Sequence, residues 1–151
     1  MKDLHLIVVG KLSEKNIAAL ENDYLKRIIA PKFFIHEVKS HSENCDLEAK
    51  EVLSKVQEIA KQDRPYLVLL MEKGKQFTSI DFSRWLFTIS ETQKIIFIIG
   101  GAAGHGEEVI VKANFKLSLS ELTYPHKLAR LLLVEQLYRA ITIKNNHPYN
   151  K

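Results

Sequence analysis

One cysteine, Cys45, is the only thiol in the 151 residues, so an internal disulfide is excluded and a reducing compartment is expected. His41 stands near it in the chain, but no second pair of metal-ligating residues accompanies them, and a zinc site is not expected. No apolar run is long enough to span a membrane. The opening Met1-Lys2-Asp3 leads straight into a strand-like segment without the plan of a signal peptide, so the cytoplasm is the expected location. Internal repeats, low-complexity tracts and linkers are also missing, and residues 1–151 are expected to form one domain around one sizeable core. A large excess of one charge is lacking too. The net charge of +4 and pI near 9.1 favour an anionic partner such as RNA without making a strong electrostatic footprint. With 46% hydrophobic and 26% charged residues, the composition is that of a folded globular chain and not of a disordered one.

What is present alternates. Strand-like runs at Leu4 to Val9, Phe33 to Val38, Tyr66 to Met71 and Ile95 to Ile99 are separated by segments of helical period. Ser13 is placed to cap the first helix, which Pro31 stops, and Asp46 to cap the second, with its stripe of Val52, Leu53, Val56, Ile59 and Ala60. Thr78 and Asp81 resemble a capping box before a third helix carrying Phe82, Trp85, Leu86 and Ile89. Glu72-Lys73-Gly74-Lys75 reads as a turn. The alternation predicts an α/β fold, a mostly parallel sheet with helices on both faces.

The chain is organised around its last third. Ile95-Ile96-Phe97-Ile98-Ile99 reads as a strand buried on both faces, and Gly100-Gly101-Ala102-Ala103-Gly104-His105-Gly106 follows at once. A loop at the carboxyl end of a buried parallel strand is where open α/β sheets bind ligands. Two phosphate fingerprints fail here. Gly101 and Gly106 have P-loop spacing, but Glu107-Glu108 replace the Lys-Ser/Thr pair, and Val109 occupies the third glycine position of a dinucleotide motif. Carboxylates at the start of the next helix also repel a pyrophosphate. The loop is expected to cradle something neutral or cationic, or to make a tight turn.

Phe115 to Leu119 alternates like a short strand, and Ser120-Glu121-Leu122-Thr123-Tyr124 breaks it with turn chemistry before Pro125 opens a helix from His126 to Ile143. Leu128, Leu131 and Leu132 lie on one side of that helix and Leu133, Leu137 and Ile141 on another. One side is therefore expected to meet the sheet and the other a second subunit.

Four motifs in order, Ile99-Gly100-Gly101-Ala102-Ala103-Gly104, Leu117 through His126, Val134-Glu135-Gln136-Leu137-Tyr138-Arg139-Ala140 and Asn146-His147-Pro148-Tyr149, resemble the ribosomal RNA large subunit methyltransferase H family. Val9-Gly10-Lys11 and Gly74-Lys75 fit as well, so the resemblance covers essentially the whole chain. It implies a SPOUT-class α/β fold with a C-terminal trefoil knot and a homodimer. It also implies methyl transfer from S-adenosylmethionine, without a metal, to N3 of a pseudouridine in the large-subunit ribosomal RNA of assembled bacterial ribosomes. A related enzyme acting on transfer RNA, or a non-catalytic RNA-binding module, is the alternative.

By motif matching, the resemblance assigns the cofactor pocket to Leu70, Gly100, Leu119, Ser120, Glu121, Leu122, Thr123 and Tyr124. Candidates for chemistry or RNA contact are His126, Arg130, His147 and Tyr149. Removing the imide proton from N3 calls for a base near neutral pKa, and both His126 and His147 are candidates, with water or the ribosome as further acceptors. Glu135 and Arg139 have the spacing of an ordinary helix ion pair. The family's tail ends with a histidine where this chain has Asn150, so a role for that histidine does not carry over.

Overall fold

The computed structural model describes residues 1–151. Ten elements follow one another: β1 (Leu4–Val9), α1 (Lys15–Arg27), β2 (Phe33–Val38), α2 (Cys45–Ala60), β3 (Tyr66–Lys75), α3 (Ser79–Ser90), β4 (Ile95–Ile99), α4 (Glu107–Lys112), β5 (Phe115–Leu117) and α5 (His126–Lys144). The strands form one sheet in the order β2-β1-β4-β3-β5, every neighbouring pair parallel.

The apolar run of β4 has a direct physical reason. Its alternate side chains serve two cores, and strand period two sends them there. Ile95, Phe97 and Ile99 join Leu4, Leu6, Val8 and Val68 beneath α3 and α5, while Ile96 and Ile98 join Ile7, Val9 and Leu69 beneath α2 and α4. All five β4 residues are buried. On the first face, Trp85 of α3 packs against Phe82, Phe97 and Phe115, so an aromatic cluster ties the helix to both β4 and the edge strand β5.

Several local expectations are corrected. β3 does not turn at Glu72 but runs on to Lys75, because after an irregularity Lys75 pairs with Leu117 of β5. Gly74 is needed there: a Cβ at that position would lie 2.6 Å from the Lys116 carbonyl oxygen. The last strand ends at Leu117 and not Leu119, since the Ser118 hydroxyl donates to the Ser120 carbonyl (2.9 Å) and turns the chain. Asn44, not Asp46, caps α2, accepting from the Leu47 amide at 3.2 Å. Glu14 takes the cap position of α1 in place of Ser13, with no side-chain bond. Thr78 caps α3 as expected, accepting from the Asp81 amide at 3.1 Å.

The last helix also needs a correction. Leu133 and Leu137, placed by sequence on a face that a second subunit could cover, are fully buried in the chain's own core. The apolar residues left open are Leu128 and Leu132, 39% and 38% exposed. α5 packs on α1 and α3 with its buried side, and its other apolar side is unpartnered in the single chain.

Candidate functional site

The carboxyl ends of β3 and β4, the glycine loop after β4, the 117–124 segment and the first turn of α5 enclose an open cavity of about 480 Å³. This is where strand order places a ligand site in an open parallel sheet. Each wall follows from local chemistry. The run from Leu70 to Lys73 continues a strand that remains paired with β5. The glycine loop closes on itself through the Gly104 amide, which donates to the Gly101 carbonyl at 2.9 Å, with Gly104 at φ +87°, a conformation that suits glycine. At Gly100 a Cβ would approach the Gly104 carbonyl oxygen to 2.9 Å, so the first glycine is required by that close return.

The 117–124 wall is pinned at both ends. The Ser118 amide donates to the Lys75 carbonyl at 2.9 Å, and the Leu122 amide donates to the Ser120 hydroxyl at 3.0 Å. Leu117, Leu119 and Tyr124 also line a smaller cavity of about 270 Å³ on the other side of this segment, against α3 and the Leu132 side of α5. The segment is thus a partition with space on both sides.

His105 is a functional candidate that sequence reasoning left inside the glycine loop without a role. Its Nε2 is 2.9 Å from the Leu70 carbonyl oxygen, which can only accept, so the proton sits on Nε2 and Nδ1 keeps a lone pair. Burial lowers its pKa below the ordinary histidine value, the bond to Leu70 opposes this, and the nearby His126 adds to it. At neutral pH the ring is therefore an uncharged strut between β3 and the glycine loop.

Of the residues expected at the cofactor, the cavity brings together Leu70, Gly100, Leu119, Ser120, Leu122, Thr123 and Tyr124. Glu121 belongs to the same turn but is exposed and does not line the cavity. The four candidates for chemistry separate. His126 is on the cavity wall. Arg130, one turn on, is only 7% exposed and is committed elsewhere: Nε and Nη2 donate to Glu21 at 2.7 and 2.9 Å, and Nη1 donates to Glu37 at 2.6 Å. It joins α5 to α1 and β2. Burial opposes the charge on both Arg130 and Glu37, but the bonds to Glu21 and Glu37 together raise the Arg130 pKa, and the bonds from Arg130 and the Leu12 amide with the charges of Arg130 and Lys11 together hold the Glu37 carboxyl below the usual range.

His147 and Tyr149 lie at the other end of α5. The Tyr149 hydroxyl donates to Glu135 Oε1 at 2.9 Å, its ring stands edge-on to Tyr138, and Arg139 lies 4.8 Å from the ring centre. Arg139 in turn donates to Glu135 at 2.7 Å and to the Asn150 side chain at 3.0 Å. The residue that departs from the family pattern, Asn150, therefore completes a cluster that folds the tail back on its own helix.

The cavity suits a flat, largely apolar body held between leucines, with main-chain groups to read its edge. Its wall carries one lysine, Lys73, and one carboxylate, Glu72, both exposed, and no cluster of cations for a phosphate. An open parallel α/β sheet with such a cleft beside a glycine loop and a returning C-terminal segment is the class the geometry defines. The family model described as predicted SPOUT methyltransferase matches residues 1–150, and the chain belongs to that family. Among curated relatives, ribosomal RNA large subunit methyltransferase H of Parabacteroides distasonis is 38% identical, the match covering 96% of each chain. The protein of the same name from Mycoplasmopsis synoviae is 39% identical over 98% of this chain and 99% of its own.

Solved structures agree on the fold. A probable methylase family protein from Haemophilus influenzae superposes with a TM-score of 0.61 at 12% identity, over 99% of this chain and 71% of that one. The SpoU methyltransferase AviRb from Streptomyces viridochromogenes, solved with AdoMet, gives 0.54 at 15% identity, over 97% and 59%.

Proposed function

We propose that this methyltransferase uses S-adenosylmethionine to methylate N3 of a pseudouridine in bacterial large-subunit ribosomal RNA, acting as a homodimer on assembled ribosomes, with residues 1–151 as one catalytic domain that carries the C-terminal knot of its class. The observation that carries this reading is the cavity between Gly100 and the Leu119 to Tyr124 segment. Its size falls within the range of small-molecule sites, and its leucines and uncharged His105 suit an adenine and a cation without phosphate. The relatives' shared name supports the ribosomal substrate, and the tail and turn motifs support the pseudouridine.

S-adenosylmethionine supplies a methyl group on a sulfonium that leaves as a neutral thioether, so the leaving group requires no acid and no metal. The residues do the rest. Leu70, Leu119 and Leu122 hold the flat part of the ligand, and the fixed ring of His105 keeps β3 and the glycine loop at their spacing. His126 lines the cavity wall, which supports it as the acceptor of the N3 proton as the new N–CH3 bond forms. His147 and Tyr149 are too far along α5 to serve the same chain's cavity. In a dimer whose two-fold axis passes perpendicular to α5 at Leu128 and Leu132, the partner's helix runs antiparallel and brings its tail toward that cavity.

The test is methylation in vitro with purified protein and labelled S-adenosylmethionine, followed by mass mapping of the RNA. Intact ribosomes from cells lacking the protein are expected to take up one methyl group on a pseudouridine. Naked ribosomal RNA is expected to take up little, because a net charge of +4 grips few phosphates. Equal rates on a naked stem-loop, or methylation of transfer RNA alone, would overturn the reading.

A further inference from the structure

We propose that Glu48, in the first turns of α2, is a positioning residue for methyl transfer that holds the Gly100–Gly104 loop in its ligand-binding form. The proposal rests on the reading of the cavity given above. Glu48 is 2% exposed, and its two carboxylate oxygens are treated very differently. Oε2 accepts from the Ser40 hydroxyl at 3.1 Å and from the His41 amide at 2.9 Å. Oε1 is buried and has no partner. A charged oxygen in that position is costly, and native interiors contain few of them.

The missing partner is close at hand. Oε1 faces Gly101, where a Cβ would come within 2.7 Å of it, so the approach of α2 to the loop depends on glycine. Gly101 itself lines the cavity. The amides of Ala102 and Ala103 donate no bond within the chain, whereas Gly101 is paired with Gly104 in an antiparallel bridge. An acceptor without donors and donors without an acceptor thus stand next to each other across one residue of backbone.

The far end of the loop is already anchored to α2. The Cys45 thiol donates to the Ala103 carbonyl at 3.3 Å, and Gly106 is pressed so close to α2 that a Cβ would meet the Cys45 carbonyl oxygen at 2.6 Å. With the Gly101 carbonyl held by the Gly104 amide and the Ala103 carbonyl by the Cys45 thiol, what remains free is the rotation of the peptide between Ala102 and Ala103. A ligand seated against Gly100, Gly101 and Ala102 constrains that peptide, and turning the Ala103 amide to Oε1 forms a charge-assisted bond that fixes it. Ligand binding and the completion of Glu48 are then one event.

The carboxylate is specific to this role. Glutamine at position 48 presents an acceptor on only one side. Either the Ser40 and His41 donors or the loop amides then meet an NH2 group.

The experiment titrates wild-type and E48Q protein with S-adenosylmethionine by calorimetry, and follows hydrogen exchange of the 101–103 amides with and without it. Affinity is expected to fall about tenfold or more in E48Q. The ligand-free unfolding midpoint is expected not to fall, since a buried charge is removed. Ligand is expected to protect the Ala103 amide in the wild type and not in E48Q.

Equal affinities overturn the proposal, and so does unchanged exchange at Ala103 in the wild type, a measurement that needs no variant. S40A, which removes only a donor to Oε2, is expected to bind within twofold of wild type. A loss as large as that of E48Q assigns the effect to the 39–41 segment and overturns the proposal. If the wild type does not bind S-adenosylmethionine at all, the reading of the cavity fails first.

Discussion

Arg130 is the sharpest place to test the structure against the sequence, because its chain position suggests chemistry and its surroundings suggest a brace. Replacing it by alanine removes three bonds and strands the Glu21 carboxylate, which is 4% exposed, in the contact between α1 and α5. Breaking a buried pair on one side costs about 3–5 kcal/mol, chiefly the penalty for the charge left behind. For a domain of this size that lowers the unfolding midpoint by about 6–20 °C. The pair itself is worth much less against an apolar replacement of similar volume. R130M/E21L is therefore expected to be more stable than either R130M or E21L alone. Urea unfolding at one fixed protein concentration compares the wild type, R130A, R130M, E21L and the double variant. S-adenosylmethionine affinity should be close to wild type wherever the fold survives. R130A with near wild-type stability but no methyl transfer would return Arg130 to the reaction and refute the brace.

Three further outcomes are expected. His5 Nδ1 and His36 Nε2 stand 3.0 Å apart, a bond one ring must donate and the other accept, and burial, then the His36 and Lys94 charges, push the His5 pKa from 6.5 down to about 4. Folding therefore favours the neutral ring: the contribution is complete above pH 6.5 and is lost as pH falls toward 4, at most about 3 kcal/mol, so a flat stability profile between those values refutes it. L128E/L132E is expected to sediment as a folded monomer, whereas L133A should lose about 2–5 kcal/mol of stability; a monomeric wild type at micromolar concentration sinks the dimer. S-adenosylmethionine binding should be unaffected by chelator, and binding that vanishes with EDTA would contradict a cavity built from leucines, main chain and a neutral histidine.

The parallel sheet and its two covered faces were legible because strand and helix periods alternate without interruption, and because β4 is apolar at every position. Boundaries set by tertiary pairing were not. Nothing local extends β3 through Glu72-Lys73-Gly74-Lys75, residues with turn chemistry. Lys75 pairs with Leu117, far away in the chain, and that contact overrides propensity. In α5 the apolar side chains could be sorted into two sides, but not into core and surface, since leucines at 128, 132, 133 and 137 look alike until α1 and α3 are in place. The cavity's leucines and glycines were found through motifs. His105 and Glu48 were not, because their significance depends on a single atom each: a carbonyl at Leu70 and an oxygen without a partner beside Gly101.

The separation of the chemistry along α5 has a consequence for assembly. At about 1.5 Å per residue, Glu135, which receives the Tyr149 hydroxyl, lies roughly 13 Å along the helix axis from His126. The tail beyond it is tied down by Arg139, Tyr138 and Asn150 and does not turn back toward the cavity. One chain therefore has a ligand cavity at the start of α5 and an ordered aromatic tail held near its other end. Joining them by unfolding the tail would sacrifice the Glu135–Arg139–Tyr149 cluster, whose burial already raises the pKa of the Tyr149 hydroxyl and keeps it a donor. Joining them by symmetry requires no change in either. In the dimer we propose, two helices crossing antiparallel over Leu128 and Leu132 would set the tail of each chain beside the cavity of the other and bury the apolar side of α5 that the fold leaves open. In the proposed dimer the ordered tail and the exposed leucines are two halves of one requirement, and a wild type that methylates ribosomes as a monomer would refute it.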